Sequence, residues 1–196
     1  MELPSYCSYD HVDNFVVTKN FLSPKECDVI VEMCLEFEFE EAQIRMKQKS
    51  FGKNDDIRLS NISHIDPNNP EFAWLLDRVA DTITEVNREY FKFDIVGFQE
   101  ELQFTEYKEP GGHYSYHTDK LLHDKVRKLS MVVQLTDPSK YEGGELEICL
   151  GEDPFVVPKQ QGTLVTFPSY NLHRVKPTTK GTRHSLVGWV TGRPFR

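Results

Sequence analysis

The sequence predicts an α+β protein, with helices in its first half and strands in its second. Three observations carry that prediction. A capping box at Ser23-Pro-Lys-Glu26 opens one helix, residues 72–90 repeat apolar side chains at helical spacing, and from Gly97 onward short apolar runs alternate with Gly and Pro turns. At 196 residues, 38% hydrophobic and 12% aromatic, the chain is long enough for one well-buried domain and too short for two comfortable ones.

Phe15-Val-Val reads as a short strand leading to the first helix, where Pro24 takes the first helical position. Cys27, Ile30, Val31 and Cys34 fall on one helical face, and near Glu36 the pattern changes to an alternating strand, Phe37-Glu-Phe39-Glu. Residues 45–56 are charged, with Phe51-Gly52 and Asn54-Asp-Asp in their midst, and read as a mobile hairpin or lid. Arg58-Leu-Ser60 suits an ordinary surface strand. The turn Asp66-Pro-Asn-Asn-Pro70 opens a long helix whose inward set is Phe72, Leu75, Leu76, Val79, Ile83, Val86 and Tyr90, with Trp74 as a packing residue. Six strands follow, at 102–107, 129–135, 146–150, 155–157, 163–167 and 185–190, and Gly143-Gly144 and Gly162 serve as turn residues.

Composition narrows the function. A net charge of −8 opposes a polyanionic partner, whose binding is driven by Lys and Arg displacing condensed counterions, so no nucleic acid is expected. No window is apolar enough for a membrane span. The N-terminus lacks a basic stretch followed by an apolar one, and Cys7, Cys27, Cys34 and Cys149 include no C-x-x-C pair. A cytoplasmic address with reduced thiols is the expectation.

The stretch Tyr114-Ser-Tyr-His-Thr-Asp119 carries the chemistry. His117 and Asp119 are two apart, and residues i and i+2 of an extended strand project from one face. Joined by His173, they make a set of two imidazoles and one carboxylate that occupies one face of an octahedron and leaves three positions open, which suits Fe(II). A lone H-x-D is equally a solvated loop. His113, His123 and His184 are not expected as ligands: the first stands at the wrong offset, the second in a Lys/Asp-rich loop, and the third alternates away from Arg183.

The H-x-D pair, Arg127-Lys-Leu-Ser130, Tyr141-Glu-Gly-Gly-Glu145, Phe167-Pro-Ser169, His173, and the R-x-S of Arg183 and Ser185 resemble the Fe(II)/2-oxoglutarate dioxygenases in their prolyl-4-hydroxylase-like branch, across roughly residues 98–192. The resemblance implies a double-stranded β-helix, a jelly-roll or cupin-like barrel braced by N-terminal helices. A single domain over 1–196 would use 1–97 as helical support and lid and 98–192 as catalytic core. His117, Asp119 and His173 would hold iron, and Arg183 would take the far carboxylate of 2-oxoglutarate, helped by Ser185 and Tyr107. Lys180 competes for that role, although it follows His173 by seven residues where Arg183 follows by ten. Tyr114, Arg127 and Trp189 match positions that face the prime substrate, while Tyr114 and Trp189 also suit core aromatics. Glu145 is a supporting candidate.

The implied cofactors are Fe(II), 2-oxoglutarate and O2, with ascorbate as reductant. The implied activity is hydroxylation of an unactivated C–H, foremost of a prolyl residue in a protein or peptide, with release of succinate and CO2. One departure stands out, because Thr191 occupies the place where those hydroxylases carry a histidine two residues after the tryptophan. The alternatives are hydroxylation of a free amino acid or other side chain, demethylation of nucleic acid, and a non-catalytic metal-binding barrel. The demethylases resemble R-x-N-x-x-x-R, and here the last of those positions is Trp189.

Overall fold

A computed structural model of the protein describes residues 13–45, 51–52, 54–120 and 126–194. The elements run β1 (Val16–Thr18), α1 (Pro24–Leu35), β2 (Glu40–Glu41), β3 (Ile44–Arg45), β4 (Phe51–Gly52), β5 (Arg58–Leu59), β6 (Asn61–Ile65) and α2 (Ala73–Val86). Then come β7 (Ile95–Phe98), β8 (Leu102–Lys108), β9 (His113–His117), β10 (Arg127–Gln134), β11 (Tyr141–Gly143), β12 (Leu146–Ile148), β13 (Phe155–Val156), β14 (Leu164–Pro168), β15 (His173–Val175) and β16 (Thr178–Gly192). The large sheet has the order β1-β14-β10-β16-β8-β6-β2, with β7 and β11 also on β16; the small sheet is β13-β12-β15-β9-β5. Every pairing is antiparallel. The two sheets form the double-stranded β-helix.

Period-two alternation decides which side chain meets which layer. On β10, Leu129, Met131 and Val133 join the helices in one apolar cluster, whereas Val132 joins Val165, Phe167, Leu146 and Ile148 in a second cluster between the sheets. On β8, Leu102 and Phe104 face the helices and Tyr107 faces the barrel interior; on β16, Leu186 and Val190 face the helices and Val187 the interior. Ser130, Gln134, Arg183 and Ser185 fall on the interior parity of these strands and are 1% exposed or less. A polar interior in otherwise apolar strands marks the cavity.

The capping box forms as expected: Ser23 Oγ accepts from Glu26 N at 3.3 Å, and Glu26 Oε2 accepts from Ser23 N at 2.8 Å. Cys27, Ile30 and Cys34 are buried and Val31 packs beside them. Burial also pushes the Cys27 and Cys34 thiols up to about 12, which leaves both as inert thiols. Cys7 lies outside the described residues.

Several expectations need correction. Phe37 and Phe39 are not in a strand; both pack on the helical core, and β2 begins only at Glu40. Tyr90 is 43% exposed, and Phe91 is buried at 1%. The cause is a π-turn over Asn87–Phe91, in which Lys92 N donates to Asn87 O; the wider turn advances the inward position by one residue. β6, β7, β11 and β15 had no counterpart in the sequence reading, and the expected strand 185–190 is the end of the 15-residue β16. Of the predicted lid, β3 and β4 pair as a separate two-stranded sheet, while 46–50 and 53 lie outside the described residues. Among the described residues, no helix is long and apolar enough to cross a membrane.

Candidate active site

The strand register explains why three distant side chains meet. His173 on β15 stands directly opposite His117 on β9, bringing the ring centroids to 4.2 Å. β9 ends at His117, so Asp119 reaches the same place from beyond the strand, where its N–H donates to Ser169 O at 2.9 Å. One donor atom from each of His117, Asp119 and His173 lies within 4.8 Å of the others.

The surroundings fix the donors. Nδ1 of His117 bonds Ser115 O at 2.8 Å and Nδ1 of His173 bonds Asn171 O at 2.9 Å. A carbonyl only accepts, so each Nδ1 carries the proton and each Nε2 lone pair is left for the centre, 3.7 and 3.5 Å from the Asp119 oxygens. Ser130 Oγ donates to Asp119 Oδ2 at 2.6 Å and is itself 3.0 Å from Ser169 Oγ. Burial and the neighbouring His173 lower His117 to about 3, so this imidazole is neutral and able to bind a cation at neutral pH. For Asp119, burial works against ionisation, but the two imidazoles and the Ser130 hydroxyl outweigh it and hold the carboxyl below its usual range.

The triad opens on a cavity of about 600 Å³ that Arg183, Ser185, Tyr107, Tyr114, Arg127 and Trp189 also line. Arg183 is 1% exposed, with Nη2 donating to Gln134 Oε1 at 2.9 Å, Nη1 to Ser185 Oγ at 3.4 Å, and its guanidinium 5.3 Å from the Tyr107 ring centre. Its Nε has no partner, and no carboxylate lies within 4 Å of it among the described residues. Taking a guanidinium out of water without a counter-anion costs on the order of several kcal/mol. Gly144, at φ +63°, clears the space for it: a Cβ there would meet Arg183 Cδ at 3.0 Å. Lys180 is away from the cavity, on an exposed ion pair with Glu142.

Tyr114 stacks on His117 with centroids 3.5 Å apart. The Arg127 guanidinium lies 3.7 Å over the Trp189 ring and grips Glu100 with both Nε and Nη2. Trp189 turns its indole toward Asp119 and lends a weak lowering influence, although Nε1 reaches no acceptor at hydrogen-bonding geometry. Glu145 is remote, paired with Lys159 at 2.8 Å. His113 bonds Gly111 O and Asp56 O, His184 sits beyond Thr136 and Glu106, and His123 lies outside the described residues.

The sequence reading missed Ser130, Gln134, Arg58 and Glu100 as site residues. Ser130 and Gln134 had a signal, as polar residues on one face of an apolar strand. Arg58 and Glu100 had none, since only the fold carries them to the cavity.

Residues 102–191 match the 2OG-Fe(II) oxygenase superfamily. A PKHD-type hydroxylase of Picosynechococcus sp. is 45% identical over 84 residues, 41% of this chain, and the chain spans only 37% of that relative's length. The Pseudomonas putida prolyl-4-hydroxylase superposes with a TM-score of 0.73 at 25% identity, over 92% of this chain and 94% of that one. A Trichoplax adhaerens prolyl hydroxylase, solved with a hypoxia inducible factor oxygen degradation domain peptide, gives a TM-score of 0.75 at 20% identity over 91% and 84% of the two chains. Fe(II), 2-oxoglutarate and O2 are the cofactors this family takes, and two imidazoles, one carboxylate and a guanidinium with no carboxylate partner among the described residues, all in one cavity, fit them.

Proposed function

As residues 102–191 are a 2OG-Fe(II) oxygenase domain in a prolyl-4-hydroxylase-like fold, we propose that the chain hydroxylates an unactivated C–H bond of a prolyl residue in a peptide or protein, converting 2-oxoglutarate to succinate and CO2. One observation carries the reading: a single cavity has the His117–Asp119–His173 cluster on its wall and, fully buried, the Arg183 guanidinium with no carboxylate partner among the described residues. The metal and co-substrate sites are thus built together.

Iron with 2-oxoglutarate and O2 supplies the oxidant that removes hydrogen from carbon and returns it a hydroxyl. The chain's residues do the rest. His117, Asp119 and His173 hold the ion through two Nε2 atoms and one carboxylate, and the Ser115, Asn171 and Ser130 bonds keep those three from rotating away. Arg183 takes the far carboxylate of the dicarboxylate as a planar fork, and Ser185 and Tyr107 close around it. Tyr114, Arg127 and Trp189 form the wall that orients the prime substrate, and ascorbate restores the ferrous state. α1 and α2 pack on the large sheet, and we read 1–97 as the support and 98–192 as the core of one domain.

A second reading, hydroxylation of a free amino acid or another side chain, is favoured by Thr191. Its Oγ1 donates to Gly97 O at 3.0 Å and the residue is 2% exposed, so nothing at this position reaches the cavity. The test is succinate release from 2-oxoglutarate with Fe(II), followed by a screen of prolyl peptides and amino acids for a mass gain of one oxygen. No succinate under any condition would end the oxygenase reading; succinate with oxygen gained only by non-prolyl compounds would end the prolyl one.

A further inference from the structure

We propose that the prime substrate presents a carboxylate to Arg58. This rests on the oxygenase reading and adds the class of group that the cavity recognises. Arg58 belongs to β5, the edge strand of the small sheet, and lines the cavity while only 8% exposed. Its Nε donates to Ser60 Oγ at 2.9 Å, and its guanidinium lies 4.6 Å from the centre of the Tyr114 ring, which is itself stacked on His117. The cation therefore stands one aromatic ring from the ligand cluster.

Neither terminal nitrogen of Arg58 has a hydrogen-bond partner among the described residues, and no carboxylate lies within 4 Å. The acids nearby are engaged elsewhere: Glu100 with Arg127, Glu40 with His64 at 3.6 Å, and Asp119 with the two imidazoles. Arg58 is 8% exposed as a whole residue, and the free edge of its guanidinium is shaped for two parallel bonds to a carboxylate. Arg183 has the same deficit but is the deeper of the two, and the co-substrate makes up for it. Among the described residues nothing supplies an anion to Arg58, and a carboxylate on the prime substrate would. An acidic side chain beside the hydroxylated residue and a C-terminal carboxylate, including that of a free amino acid, share this chemistry.

The full chain, loaded with Zn(II) in place of iron and with 2-oxoglutarate, is titrated calorimetrically with matched pairs: N-acetyl-Ala-Pro-Gly acid against its amide, amidated Ala-Pro-Gly-Asp against Ala-Pro-Gly-Asn, and L-proline against L-prolinamide. At least one acid member should bind about tenfold tighter or better than its partner, a difference of about 1.4 kcal/mol. The pair that responds identifies the source. Arg58→Gln should erase the difference and Arg58→Lys should retain part of it. Thermal unfolding gives an independent reading: Arg58→Met should leave the midpoint of the ligand-free protein unchanged or higher, whereas a purely structural arginine would lower it. Equal binding of acids and amides, a preference that survives Arg58→Gln, or no binding by any acid member overturns the proposal. Binding of 2-oxoglutarate to the Zn(II)-loaded protein, measured first, tests the oxygenase reading separately.

Discussion

At the scale of single residues, the cavity holds the guanidiniums of Arg58 and Arg183, with no carboxylate partner among the described residues. Arg183 is held by neutral acceptors, Gln134 Oε1 and Ser185 Oγ. Such acceptors fix the fork's direction but leave its charge for an incoming anion. Arg183→Ala should therefore raise the apparent 2-oxoglutarate requirement by about 2–5 kcal/mol, and Lys180→Ala should change nothing. Gln134→Glu is the sharper test. It would put a carboxylate within reach of Arg183, raising the thermal midpoint of the ligand-free protein while weakening 2-oxoglutarate. Calorimetry and thermal unfolding of the two variants check both signs, and unimpaired co-substrate binding by Gln134→Glu would remove Arg183 from its assigned role.

At the scale of elements, α2 and its π-turn make a direct prediction about burial. Phe91 is 1% exposed and Tyr90 43%, so Phe91→Ala should cost about 3–5 kcal/mol and Tyr90→Ala within about 0.5 kcal/mol. Denaturant melts decide it. The strands make a prediction about pH. Glu106 on β8 accepts from Asn61 at 3.0 Å on β6, pairs with Lys108 at 2.9 Å, and faces His184 on β16 at 3.4 Å. Burial opposes its ionisation, but the His184, Asn61 and Lys108 contacts prevail and lower it to about 2. A carboxyl with a depressed folded value stabilises the fold above its unfolded value, 4.5, and loses that contribution as pH falls from 4.5 toward 2. The contribution is on the order of 1–3 kcal/mol. Glu106→Gln should flatten the acid limb of the stability profile; an unchanged limb would mean that other carboxylates set it.

At the scale of the whole molecule, the cavity lies where the edges of both sheets approach. β2 is the edge of the large sheet and β5 that of the small one, and Glu40, Glu41 and Arg58 from these edges line the opening. Between β2 and β5 in the chain, β3 and β4 pair as a separate two-stranded sheet within the charged segment 45–56, of which 46–50 and 53 lie outside the described residues. We propose that this segment closes over bound substrate, as functional loops do on a rigid scaffold. Amide exchange across 45–56, with metal and 2-oxoglutarate present, should slow further on adding an oxygen-accepting peptide. Full protection before the peptide is added would make the segment a fixed hairpin.

The sequence by itself determined the elements whose physics is local. The capping box at Ser23, the helical face of α1, most of the inward set of α2, and the apolar runs of β8, β10 and β14 are all readable because each rests on neighbours within a turn or on strand alternation. The ligand candidates His117 and Asp119 were legible too, in the H-x-D motif, as was the co-substrate candidate Arg183 in its R-x-S motif. Only the tertiary structure decided what depends on contacts between residues far apart. Register opposed His173 to His117, and strand pairing supplied Asn171, Ser130 and Ser169 as supports. Strand parity sent Gln134 inward to Arg183, and the sheet edge delivered Arg58 to the cavity with no carboxylate partner among the described residues. A local pattern cannot reveal an absent partner, because a charge is unpaired only relative to everything the fold brings around it.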